Sequence, residues 1–455
     1  MIRVDVGASG PGPTTLPRVL TLWDATCVVI GAIIGVGIFF TPRDVANVTG
    51  SAPAALLAWG IGGVIALLGA FTFAELGRLK PLAGGQYHVL RDAFGAMPAF
   101  LFVFCNLTAV QAGAVAIIAI LCAQNLGLAL YGHDPPGTWV LAVGTLMTWA
   151  LVAVNWIGVK SGSRLQDVTV VAKLAILAAL VLVAIAFEPA ALPAAGSAAP
   201  GAAAAPLGFA SLFTGVIITL FAYGGGQQVL WVAGEVVDPR RNVPRALVLG
   251  VGIVVVGYLA ANWAYLDLLG FERVRAAKAL TAEAISTVSP GLGRRIAAGA
   301  VAISAFGVLN AQFLTGPRLT WAMARDGQFF GAFGRLDRRF ATPAPAILLL
   351  GVLASALLLG LGLDRTDLLT TGVVVVDAVF FALTGFALPL LRRRAAPEDR
   401  GPAWIAAAAI GFSVLQLLAI TAAVMQKDAR AVALSGFGWI AAAALTWVVW
   451  FRPRR

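Results

Sequence analysis

Gly31-Ala-Ile-Ile-Gly35-Val-Gly37-Ile-Phe-Phe40 and Phe221-Ala-Tyr-Gly224-Gly225-Gly226-Gln227-Gln228 decide the fold. Each lies inside an apolar stretch long enough to cross a bilayer, and each is a poor helix. A glycine in a helix interior is about 1 kcal/mol worse than alanine. Three glycines in seven residues interrupt the first stretch, and three in succession followed by two amides interrupt the second. Small residues also let helix backbones pack closely, so composition alone leaves a plain packing role open. Non-helical backbone at membrane depth survives only where it is buried in protein or lines a cavity.

The rest of the chain supplies the membrane. Of its 455 residues, 60% are apolar and only 12% charged, about half the charge that soluble domains carry. A spanning helix needs roughly 20 mostly apolar residues. Twelve runs meet this: 19–40, 52–77, 93–125, 138–158, 167–187, 209–233, 246–269, 296–317, 343–360, 368–391, 402–425 and 434–451. They are numbered here as runs 1 to 12. Continuous runs are unlike the alternating segments of a transmembrane β-barrel. The expectation is an all-α integral membrane protein of twelve transmembrane helices, with the lipid bilayer as its main partner. The net charge of +11 is scattered through short loops, with no aromatic-studded basic face to track phosphates, so no nucleic-acid partner is expected. Cys27, Cys105 and Cys122 sit in apolar runs without metal-ligand spacing and read as packing residues. Neither metal nor cofactor is expected.

Lys and Arg concentrate at the two ends of the chain and in the loops that follow even-numbered runs. Both termini are therefore expected on the cytoplasmic side of the cell (inner) membrane. The basic loop Gly270–Arg295 is the exception, and its stretch Arg273–Val288 reads as a surface helix. Residues 1–18 form a polar tail without the apolar core of a signal peptide, so run 1 is expected to direct insertion. An uncharged Ala/Pro linker at 188–208, external by this count, separates five runs (19–187) from five more (209–391). Runs 11 and 12 (392–451) and a tail at 452–455 follow. Runs 1 and 6, the interrupted ones, each open a group of five. Matched interruptions of this kind point to a transporter built as a five-plus-five inverted repeat with a midplane site. Freed amides at a half-helix N-terminus suit a carboxylate, and freed carbonyls suit an ammonium. Amino acids are the obvious small zwitterions.

Several motifs carry a family resemblance. Gly35-Val36-Gly37-Ile38-Phe39 resembles a first-span motif ending G-S-G-I-F, and Phe221-Ala-Tyr-Gly-Gly225 matches F-A-Y-G-G of a sixth span. Ala74-Glu-Leu76 with Gly84-Gly85-Gln86-Tyr87, Glu235-Val-Val-Asp-Pro239 through Asn242-Val-Pro244, and Leu314–Gly327 fit later segments in order. Together the motifs resemble the amino acid–polyamine–organocation superfamily, in its L-type amino acid transporter branch. The resemblance implies twelve spans, alternating access and an amino acid substrate. Its carboxylate would meet N–H groups at Gly35, Val36 and Gly37. Its ammonium would meet carbonyls near Ile33, Phe221, Ala222 and Gly224, with Gly225 leaving room beside them and Phe221 closing over the substrate from outside. Val36 replaces the family's small polar residue, and Gly226-Gln227 replaces a bulkier W-N pair. Eukaryotic members pair with a glycoprotein through a cysteine between spans 3 and 4. Leu126–Gly137 has none, so no disulfide-linked partner subunit is expected.

Two ionisable residues lie inside runs. Lys173 falls in run 5, about 10 Å of helical rise from its expected cytoplasmic end, and a mid-span charge is costly enough to imply a role. By the resemblance its ammonium stands where sodium-coupled relatives bind a cation, bridging run 1 to run 8, which implies sodium-independent transport. Asp377 in run 10 is open to three roles: hydrogen bonding within the bundle, carrying a proton, or meeting a substrate amine. Glu75 and Glu235 lie near Arg78, Arg240 and Arg241, as inner-gate ion pairs or solvated helix ends. No converging nucleophiles or ligand histidines support an intramembrane enzyme, and no repeated ring supports a channel. The expected function is secondary active transport of neutral L-amino acids by alternating access, sodium-independent and open to exchange. A transporter-fold sensor, or a carrier for cationic amino acids or polyamines, is the alternative.

Overall fold

A computed structural model describes residues 15–187, 208–277, 279–287, 291–362, 367–425 and 427–451. Most of the expected N-terminal tail, nearly all of the Ala/Pro linker and the C-terminal tail lie outside the described residues. Run 1 is α1 (Leu22–Ile33) and α2 (Gly37–Thr49), bent by 47° at the break. Run 2 is α3 (Ala52–Leu79), followed by α4 (Gly85–Phe94). Run 3 comprises α5 (Ala96–Cys105), a π-helical turn at Asn106–Gln111, and α6 (Ala112–Tyr131). Runs 4 to 6 give α7 (Gly137–Ile157), α8 (Val159–Ala186) and α9 (Phe209–Ala222). After α10 (Pro239–Leu269) come the short α11 (Phe271–Ala276) and α12 (Leu280–Ser286). Run 8 is α13 (Gly293–Thr315) continued by α14 (Pro317–Arg325). The last four are α15 (Ala344–Leu361), α16 (Asp367–Arg394), α17 (Ala403–Met425) and α18 (Lys427–Thr446).

Among the described residues no β-strand forms, and nine helices are long and apolar enough to cross a membrane, or ten with α1 and α2 taken as one. Runs 6 and 9 are the two that fall short of the expected twelve. The helix of run 6 stops at Ala222, and its remainder is two 3₁₀ turns, Gly226–Leu230 and Ala233–Glu235, rather than a second α-helix. The surface helix expected at Arg273–Val288 is also divided, into α11 and α12, with Val274 and Leu280 buried.

The ends of runs 1, 6 and 8 are tied together on the N-terminal side. Thr21 caps α1, and its own N–H donates to Asp24 at 2.6 Å, completing a capping box. The Asp24 carboxylate also accepts from Lys160 at 2.7 Å and Ser163 at 2.6 Å, fastening α1 to the start of α8. Val19 and Leu20 donate backbone N–H groups to the Glu235 carbonyl at 2.9 Å, and Val237 returns one to Leu20 at 2.8 Å. The Glu235 side chain meets Arg318 at 2.8 and 3.2 Å, with both side chains fully buried. Gly84 explains part of its motif. At φ 71° it turns the chain so that its N–H reaches the Trp231 carbonyl at 2.7 Å, and a Cβ on the adjacent Gly85 would lie 2.7 Å from the Leu230 carbonyl. Trp231 then donates to Gln86, which donates to Thr384, each at 2.9 Å.

The expected acidic pairs have different basic partners from the neighbours in sequence. Glu235 binds Arg318, and Glu75 binds Arg392 at 3.0 Å and the Gly401 N–H at 3.0 Å. Arg240 instead pairs with Asp399 at 3.5 Å. Sequence neighbours on a helix end point along one element, whereas these carboxylates face across to others. Further out, Lys80 and Arg91 both pair with Asp92. Burial works to raise the Asp92 carboxyl, but hydrogen bonds from Lys80 and Arg91 outweigh it and hold the group below the usual carboxylate value.

Removing one partner of a buried ion pair strands the other charge, at about 3–5 kcal/mol. Arg318→Met should therefore lower the unfolding midpoint of the detergent-solubilised protein sharply, and Glu235→Met/Arg318→Met should recover more than half of that loss. Equal melting of Arg318→Met and the wild type would show that the pair does not hold this end closed.

Candidate functional site

Both interruptions occur where the sequence places them, and they face each other. A Cβ at Gly37 would lie 3.7 Å from the Ala222 Cβ and 3.8 Å from its Cα. Gly225, at φ 111°, is closer still to run 1, since a Cβ there would lie 2.5 Å from the Ala32 carbonyl oxygen. Only glycine allows both that backbone conformation and that approach. Gly35 touches run 8, with Val308 at 3.4 Å from a Cβ position.

The break leaves backbone groups without their helical partners. Among the described residues, no hydrogen bond engages the N–H groups of Gly35, Val36, Gly37 and Ile38. Gly35, Val36 and Gly37 are half-buried rather than sealed. On the opposing side, the carbonyls of Ala222 and Gly224 accept no hydrogen bond among the described residues, while Phe221 accepts from the Gly224 N–H at 3.2 Å. The Phe221 side chain is 67% exposed, so it stands clear of the break. The unpaired donors thus lie on run 1 and the unpaired acceptors on run 6, with no carboxylate among Ile33–Gly37 or Phe221–Gln228.

The carbonyls freed at the end of α1 are not open. Lys173 donates to Gly31 at 3.1 Å and to Ile34 at 2.6 Å. Ser304 donates to Gly35 at 2.9 Å, and Tyr258 to Ile33 at 3.1 Å. The Ile33 carbonyl, expected beside a substrate ammonium, therefore already has a partner. Lys173 meets run 8 by packing rather than by a hydrogen bond. A Cβ on Gly307 would lie 2.7 Å from its Cε, so glycine makes room for the ammonium. Asp377 is partly buried in α16, with no hydrogen-bond or ion-pair partner among the described residues.

Amide networks brace the site from behind. Asn310 of α13 donates to Gly162 at 2.9 Å and Gln166 at 2.8 Å, and receives from Asn155 at 3.1 Å. Thr315 donates to Gln228 at 3.0 Å, joining run 8 to the 3₁₀ turn of run 6. Sequence reasoning passed over Ser304, Gly307 and Asn310. Their spacing of three places them on one helix face, a legible signal of a small and polar stripe. Nothing in the sequence marks Tyr258.

The amino acid permease family model matches residues 20–450, which include both breaks, Lys173 and the Glu235–Arg318 pair. The b(0,+)-type amino acid transporter 1 of Rattus norvegicus is 30% identical over 360 residues, covering 77% of this chain and 71% of that protein. Its namesake in Homo sapiens is 30% identical over 356 residues, with coverages of 76% and 70%. The large neutral amino acids transporter small subunit 2 of Homo sapiens is 29% identical over 350 residues, covering 75% of this chain and 64% of that protein. With the family model spanning nearly the whole chain and both helix breaks inside it, this protein belongs to the amino acid permease family.

Proposed function

We propose that this permease moves neutral L-amino acids across the cell membrane by alternating access, without sodium coupling. The observation that carries the reading is the pair of facing breaks, with unpaired N–H groups at Gly35–Gly37 opposite unpaired carbonyls at Ala222 and Gly224. This arrangement complements a zwitterion through backbone alone. The absence of a carboxylate at the break, together with Val36 beside it, favours an uncharged side chain on the substrate. Phe221 stands at the edge of the site as the residue that swings over it. The proposed frame is twelve spans in a five-plus-five inverted repeat, with both termini in the cytoplasm.

Lys173 supports sodium independence. Its ammonium already satisfies carbonyls that a bound cation would otherwise have to satisfy. The closed ends of runs 1, 6 and 8 on the N-terminal side, beside the accessible break, fit one extreme of a transport cycle. Asp377 favours a second reading, because a partly buried carboxylate with no partner among the described residues suits a cationic substrate or a proton.

Uptake of a labelled amino acid panel into proteoliposomes, with and without internal amino acid, tests substrate and exchange together. Neutral aliphatic amino acids should be carried best. Preferential arginine uptake would move attention to Asp377, and binding without flux would make the protein a sensor.

Glycine substitutions separate site from scaffold. Gly37→Leu should fold and insert, since a Cβ there meets Ala222 at ordinary contact, but should abolish transport by filling the space between the breaks. Gly225→Ala should instead lower the yield of folded protein. Wild-type flux in Gly37→Leu would remove the break from the site.

Lys173→Ala leaves the Gly31 carbonyl without a donor and the Ile34 carbonyl with only a 3.4 Å bond from Ser304, and a buried group that loses its partner costs about 1–3 kcal/mol. Apparent substrate affinity should fall about tenfold or more with insertion unchanged, since 1.4 kcal/mol is already tenfold. Unaltered flux in this variant, or strong sodium stimulation of the wild type, would defeat the assignment.

A further inference from the structure

A groove of about 650 Å³ lies on the N-terminal side, between α3, α10 and the start of α17. It shares no residue with the two breaks. Its deeper walls are Phe71, Ala74, Val248, Leu249 and Ile405. Its mouth carries Arg78 and Arg245. On α3, Arg78 is seven residues beyond Phe71, so basic end and apolar end are separated by about 10 Å of helical rise. α10 runs the other way, with Arg245 at the mouth and Leu249 deeper. Both walls thus grade from cationic to apolar in the same direction. Trp404, at the start of α17, is 48% exposed and packs edge-on against Phe71.

The charges at the mouth do not cancel. Glu75 also lines the groove, but Arg392 and the Gly401 N–H engage its carboxylate. Arg78 donates to the backbone carbonyl of Asp399, while the Asp399 carboxylate is paired with Arg240. Arg245 is exposed and has no carboxylate partner among the described residues. Arg78 and Arg245 therefore stand at a mostly apolar trough with no carboxylate paired to either among the described residues, since Glu75 is taken up by Arg392.

From this complementarity we infer that the groove is a binding site for an anionic phospholipid of the leaflet on the N-terminal side. Arg78 and Arg245 hold the phosphate, and an acyl chain fills the trough down to Phe71 and Leu249. Leu22, the first residue of α1, lines the groove. The lipid therefore packs against the half-helix that ends at the Ile34–Val36 break, at the end opposite the break.

Native mass spectrometry of the full-length protein tests this directly, after incubation with phosphatidylglycerol or with phosphatidylcholine of identical acyl chains. Phosphatidylglycerol should be retained in preference. Arg245→Ala should weaken its retention about fivefold, the effect of one basic side chain near a membrane surface. Val248→Trp, which fills the trough, should also reduce it, and Arg335→Ala, outside the groove, should not. Glycerol 3-phosphate alone should be held far more weakly than the lipid. Equal retention of both lipids, wild-type retention in Arg245→Ala, an equal loss in Arg335→Ala, or equally strong binding of glycerol 3-phosphate would each overturn the assignment.

Discussion

A helix broken inside a membrane must find new partners for the backbone groups it releases, because lipid offers none. In run 1 the released carbonyls belong to Gly31, Ile33, Ile34 and Gly35, and three side chains on three helices answer them: Lys173, Tyr258 and Ser304. The rest of the architecture follows from that demand. α8, α10 and α13 must pass within hydrogen-bond reach of one short segment, which sets how closely they pack around it. The demand is also met unevenly. Carbonyls on the α1 side are satisfied by protein, while the amides of the half-buried Gly35, Val36 and Gly37 have no partner among the described residues. On run 1, then, the acceptors are filled and the donors are open, and the open acceptors, at Ala222 and Gly224, belong to run 6.

Close packing makes this possible, and glycine makes the packing possible at a few places. At Gly307 the missing Cβ is the space that the Lys173 side chain occupies. At Gly31 a Cβ would collide with Gln166 at 1.8 Å, in the same plane where Gln166 accepts from Asn310. These are contacts between helices and say nothing of helix breaking. In this chain, glycines that unwind a span and glycines that admit a neighbour sit within a few residues of one another.

That mixture explains what could be read in advance. The two breaks, the buried lysine and the membrane class were legible because each violates a strong local rule: glycine runs in a helix, or a charge in an apolar run. The second half of run 6 was not legible as 3₁₀ turns, since Gln227–Val232 carries no period that separates them from α-helix. The partners of Glu75 and Glu235 were not legible for a related reason. Sequence proximity to Arg78 and Arg240 reports only one helix end, whereas the partners Arg392 and Arg318 lie 317 and 83 residues away. Tyr258 was invisible because a tyrosine in an apolar run looks like packing until its hydroxyl is seen against the Ile33 carbonyl.

The short backbone pairing between Leu20 and Val236 has a mechanical consequence. It ties the chain entering α1 to the chain leaving run 6, through three backbone hydrogen bonds that involve no side chain. Any tilt of α1 must either sever those bonds or drag residues 235–237 along, and Glu235 would pull Arg318 with it. A tilt of α1 would thus move α1 and the end of run 6 as one unit, which begins at the Leu20–Val236 pairing. Resistance to its motion resides in the Asp24–Lys160 and Glu235–Arg318 pairs, so these two latches set how readily the unit swings.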